Sequence, residues 1–106
     1  MMSSLADLVD LYDRPVELGK GQLLDEMEAL NGAAEARHLA GSPDAAERRL
    51  AARLMHLLPD TEHLEALERL VADPDPEVAQ QARRAFAGQR RTPEWHAAAA
   101  RLGFSD

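Results

Sequence analysis

Leucine, valine, methionine and alanine recur every three or four positions along most of this chain, the spacing that lays apolar side chains along one face of an α-helix. The first stripe is Leu5, Leu8, Val9 and Leu11; with Ser3-Ser4 before it as capping residues, it predicts a short helix through about Tyr12. Pro15 breaks that helix, and the ELGKG stretch that follows, with two glycines, reads as a loop. From Gln22 a second stripe runs through Leu23, Leu24, Met27 and Leu30, with Asp25, Glu26 and Glu28 on the other face. Asn31-Gly32 is a stop signal, and the alanine-rich AAEARHLA beyond it can start a fresh helix.

The second half is punctuated more sharply. Ser42-Pro43-Asp44 reads as a cap, a first-turn proline and an early acid. The helix it opens turns Leu50, Ala51, Leu54, Met55 and Leu58 inward and ends at Pro59. Thr61 caps the next helix, whose stripe is Leu64, Leu67, Leu70 and Val71. Asp73-Pro74-Asp75-Pro76 is a tight turn into a helix with Val78, Ala82, Ala85 and Phe86 inward, closed by Gly88. Thr92-Pro93-Glu94 opens a last, alanine-rich helix that stops near Gly103. The expected fold class is therefore all-α, with about five or six helices of roughly 10–16 residues.

The regularity has a period. An offset of 31 places Ser42-Pro43-Asp44 on Asp73-Pro74-Asp75, Ala51 on Ala82, Met55 on Phe86 and Thr61 on Thr92. What repeats is a helix, a Pro/Asp turn and a second helix, a unit that cannot bury its apolar stripe without stacked neighbours. The stretch LERLVADPDPEVAQQARRAFAG resembles a HEAT-like repeat of the short kind named after phycobilisome lyase subunits. Leu67, Leu70, Asp73, Pro74, Pro76, Val78, Ala82 and Phe86 occupy that pattern's places, while Ala79 stands where a basic residue is usual. The resemblance covers residues 61–88 well and 36–104 loosely; Glu47 takes the valine place in the earlier copy, and 92–103 would be a lone capping helix. It implies a short α-solenoid of helical hairpins, with residues 1–35 as an additional acidic N-terminal helical segment in one domain. These repeats serve as scaffolds in unrelated systems, so the resemblance bears on fold more than on function.

Composition agrees with the pattern. In 106 residues aromatics supply 4%, there is no isoleucine, and β-branched residues are scarce, which disfavours a sandwich or barrel. The absence of cysteine excludes disulfides, thiolate nucleophiles and thiolate-bound zinc. No apolar run is long enough to span a membrane, and the N-terminus lacks the layout of a signal peptide, so the expected location is cytoplasmic. The formal charge of -7 disfavours nucleic acid as a partner. That charge is uneven: residues 1–47 hold ten acids against Arg14, Lys20 and Arg37, whereas nine acids and nine arginines balance in residues 48–106. Either the acids simply solvate the surface, or the N-terminal part docks on a basic partner or on the chain's own arginines.

Catalytic chemistry is poorly represented. None of the G-x-S-x-G, H-E-x-x-H or phosphate-loop patterns occurs, and no cofactor is expected. Glu35-x-x-His38 has the spacing of carboxylate–histidine metal ligands on one helix face, but a second copy would have to come from a homodimer. His56 and His63 flank the Pro59-Asp60 turn as expected surface residues, and His96 is expected to pack beside Trp95. Trp95 and Phe104 read as a cap over the last apolar stripe. With Ala51, Leu54 and Leu58 inward, Arg49, Arg53 and His56 face outward, and Gln80, Gln81 and Arg84 take a similar position in the next hairpin. Second helices of HEAT-like hairpins line the inner curve of a stack, so the resemblance implies a polar, locally basic concave strip. The expected function is a non-catalytic protein–protein interaction module that binds an acidic peptide or protein surface through Arg49, Arg53, Gln81 and Arg84. The alternative is a small dimeric bundle binding metal through Glu35 and His38.

Overall fold

A computed structural model describes residues 4–14 and 19–104. These are all-helical: α1 (Leu5–Asp13), α2 (Lys20–Ala29), α3 (Gly32–Leu39), α4 (Ala45–Leu57), a 3-10 turn (Thr61–His63) that leads directly into α5 (Leu64–Val71), α6 (Pro76–Ala87) and α7 (Pro93–Leu102). The described residues contain no strand. The break expected at Pro15 lies outside the described residues.

Helices α1, α4, α6 and α7 and the 3-10 turn each begin where the sequence offers a side-chain acceptor for the free N–H groups of the first turn. Ser4 and Asp7 form a reciprocal capping box at α1. Thr92 caps α7, with Pro93 at the first helical position. The acceptor is not always the expected one. Asp44, not Ser42, caps α4, because the extended backbone at Asp44 aims its carboxylate at the Ala46 N–H, 2.9 Å away. Asp60, not Thr61, caps the 3-10 turn by accepting from Glu62. Lys20 and Gly21, expected in a loop, form the first turn of α2.

The 31-residue offset has a structural counterpart. Asp44 (φ -85°, ψ 120°) and Asp75 (φ -82°, ψ 120°) adopt the same backbone conformation, and each accepts from the N–H two residues on at 2.9 Å. Two residues before each, Ser42 and Asp73 accept the N–H of that aspartate, at 3.1 Å and 2.9 Å. The helix α3 packs on α4, α5 packs on α6, and α4 lies along α6, while α7 covers α5. The boundary drawn at residue 35 falls inside α3, which pairs with α4; the N-terminal α1 and α2 pack on each other and reach the rest through α4 and α3.

Val78, Ala82, Ala85 and Phe86 of α6 are fully buried, as are Ala51, Leu54 and Met55 of α4. Leu50, expected inward, is only half-buried because it faces the space between α4 and α1. At the α7 end, the Trp95 and Phe86 rings stack at 5.0 Å, and Phe104 packs edge-on against both. The indole N–H donates to the Phe86 carbonyl at 2.9 Å, so the buried ring leaves no polar atom unpaired. Gly103, at φ 67°, ends α7 and lets the Phe104 N–H return to the Ala99 carbonyl, which swings the Phe104 ring onto Trp95.

Candidate functional site

Helices α4 and α6 run in the same direction because they are tied at both ends. At their N-terminal ends Arg48 grips Asp73 with two nitrogens, Nε to Oδ2 at 2.8 Å and Nη2 to Oδ1 at 3.2 Å. At their C-terminal ends the buried Gln89 amide donates to the carbonyls of Met55 and Ala85 and accepts from the Asp60 N–H. Residues that follow one another by three or four along each helix then share one outward face. Along this face lies α1, and the three helices enclose a groove of about 680 Å³. Its apolar lining is Ala46 and Leu50 of α4 with Ala6 and Val9 of α1; the rest of its lining is charged or polar. A second hollow of about 340 Å³, at the C-terminal end, is lined by Asp13, Arg53, His56, Gln81 and Arg84.

All four residues expected to bind a partner lie on this surface: Arg49, Arg53 and Gln81 line the groove, and Arg53, Gln81 and Arg84 line the hollow. The strip is not an open basic surface, however. Arg49 pairs with Glu77 of α6. Arg53 is gripped by Asp13 of α1 through Nε, at 3.2 Å, and through a terminal nitrogen. Tyr12 lies under the Arg53 guanidinium at 5.9 Å. Arg84 is exposed and has no ion-pair partner among the described residues. Part of the acidic N-terminal segment, Asp13 of α1, thus docks on the chain's own Arg53. Asp13 was not among the expected binding residues; its signal in the sequence is the spacing of Ala6, Val9, Asp10 and Asp13, which share one helix face.

The chain matches no family model, no curated protein and no solved structure. Its chemistry therefore rests on its own geometry.

Burial, and then the nearby Arg53 and Arg84 charges, push the His56 pKa below the usual imidazole value. His63, expected at the surface, is instead completely buried because the 3-10 turn folds it beneath α3 and α4. One ring nitrogen faces the Leu58 carbonyl at 2.9 Å and the other faces Arg37 Nη1 at 3.2 Å. Since Arg37 can only donate and the carbonyl only accept, the neutral ring with its proton on Nε2 satisfies both neighbours. Burial lowers the pKa of this ring too. His96 is exposed, its ring edge-on to Trp95 at 5.1 Å. Glu35 and His38 are exposed on α3, and among the described residues no group of three or more His, Asp and Glu side chains is placed to hold a metal ion. No described helix is long and apolar enough to cross a membrane.

Proposed function

We propose that this chain is a non-catalytic protein–protein interaction module of the cytoplasm, a short stack of HEAT-like hairpins whose second helices, α4 and α6, present an acidic peptide or protein surface with Arg49, Arg53, Gln81 and Arg84. The observation that carries this reading is the contiguity of those four residues along the groove and the adjoining hollow, which share Arg53 and Gln81. The shared geometry of the Asp44 and Asp75 turns supports the stacking of like hairpins. A groove lined by both apolar and charged side chains suits a helical or extended peptide, since the apolar part supplies burial and the arginines supply orientation.

An array of acidic peptides probed with the purified chain, alongside an Arg53→Glu/Arg84→Glu variant, tests the reading. Selective capture by the unmodified chain, with identical helicity of both proteins by circular dichroism, is the expected outcome. Equal capture by both would remove the strip as the binding surface.

A further inference from the structure

At the C-terminal ends of α4 and α6 the local charge reverses. The chain carries a formal charge of -7, yet around this hollow two guanidinium groups, Arg53 and Arg84, meet one carboxylate, Asp13. Asp13 is already spent on Arg53, which it holds with two bonds. Arg53 Nη1 also lies 3.4 Å from His56 Nδ1; a guanidinium only donates, so Nδ1 accepts and Nε2 carries the ring proton. This leaves Arg84 as a cation without a carboxylate partner among the described residues, in a hollow that half-buried Gln81 and His56 also line. The other end of the strip differs. There Arg49 is matched by Glu77, and Asp10 and Glu47 line the groove as well, so that end holds no guanidinium in excess of its carboxylates.

Building on the partner-binding reading above, we propose that the hollow is the anion-binding centre of the strip: a carboxylate of an acidic peptide seats against Arg84, Gln81 and His56. It forms a second arginine–carboxylate pair beside Asp13–Arg53, which is the same chemistry already satisfied within the chain. Binding is then linked to the protonation of His56. The charged groups that face this ring are Arg53 on its own helix, Arg84 on α6 and Asp13 on α1, and the two arginines disfavour the imidazolium. A bound carboxylate offsets them, so the complex takes up protons and tightens as pH falls through the His56 titration.

The test follows the histidine ring signals of the full chain by NMR while N-acetyl-tetraglutamate amide is added, with inorganic phosphate in a parallel series. His56→Gln assigns the signal. Saturation with the peptide is expected to raise the His56 pKa and leave exposed His38 and His96 unmoved. Arg84→Gln is expected to weaken binding about tenfold, the effect of one charge-assisted contact. Arg69→Gln, on the exposed side of α5, is expected to bind as the parent does. A His56 signal that ignores the peptide, or a peptide affinity that Arg84→Gln leaves unchanged, overturns the proposal. A shift with phosphate but not with the peptide overturns the carboxylate assignment. Acidic peptides that bind through Arg53 and Arg84 without moving His56 would sink this centre and leave the interaction reading standing, whereas no binding by any acidic peptide would sink both.

Discussion

Arg48 and Asp73 join the two turns that the 31-residue period relates. The Arg48 fork takes both Asp73 oxygens and also donates to the Ser42 carbonyl at 3.0 Å, while Asp73 accepts the Asp75 N–H. The Asp73 side chain is only 7% exposed. A carboxylate tied both to a guanidinium and to a turn N–H couples the start of α4 to the start of α6, which aligns the two helices that form the strip.

Asp73 is held below its ordinary pKa, chiefly by the Arg48 hydrogen bond. A depressed aspartate contributes stability that is fully present above the unfolded-state value, ~3.9, and is lost as pH falls through the lower folded-state value. Asp73→Asn keeps an oxygen for the turn and discards the charge. It is expected to lower the unfolding free energy by about 1–2 kcal/mol at neutral pH. In urea titrations the gap between the two proteins should narrow as pH drops below 4 toward 2; a constant gap would mean that the charge is not what stabilises.

Two glycines should respond oppositely to the same substitution. A Cβ on Gly32 would stand 2.8 Å from the Met27 carbonyl oxygen and 2.8 Å from a Leu58 methyl, whereas one on Gly21 meets nothing within 4 Å. Gly32→Ala is therefore expected to destabilise by ~1–3 kcal/mol through steric strain, and Gly21→Ala to stabilise by about 0.5 kcal/mol through reduced unfolded-chain entropy. Urea midpoints of the two variants decide both signs.

Gln89 is 4% exposed and serves three backbone groups on two helices and a turn. Gln89→Met has nearly the same volume but strands the Asp60 N–H and the Met55 carbonyl. A loss of ~2–3 kcal/mol is expected, read as a lower thermal midpoint. If the midpoint is unchanged, water must reach these groups.

His63 adds a pH dependence of its own. Its folded-state pKa lies below the unfolded value of ~6.5, so the unfolded chain takes up the proton first and stability falls as pH drops below that value. The half-buried His56 acts in the same sense. Unfolding free energies should decline from pH 7 to pH 5, and a His63→Gln variant should decline less steeply. Equal slopes in the two proteins would assign the effect elsewhere.

Helix starts and stops were largely legible because they are local. The Ser4–Asp7 box, the Thr92 cap and the Gly103 stop each use groups within a few residues of one another, and their residue types announce them. The caps expected at Ser42 and Thr61 are instead Asp44 and Asp60. Neighbouring residues offered equivalent oxygens, and only the backbone angles at Asp44 and Asp60 selected between them.

By itself the amino-acid sequence determined the all-helical class, the apolar stripe of α6 and the Asp-Pro turn before it, since helical periodicity and turn chemistry depend on spacings of two to four residues. Only the tertiary structure decided that Asp13 closes on Arg53 across 40 residues, that Gln89 reaches Met55 across 34 and that His63 is buried against Arg37 across 26. A polar side chain carries no mark of a distant partner. Its environment is set by which helices meet, and that follows from burying all the stripes at once rather than from any one of them.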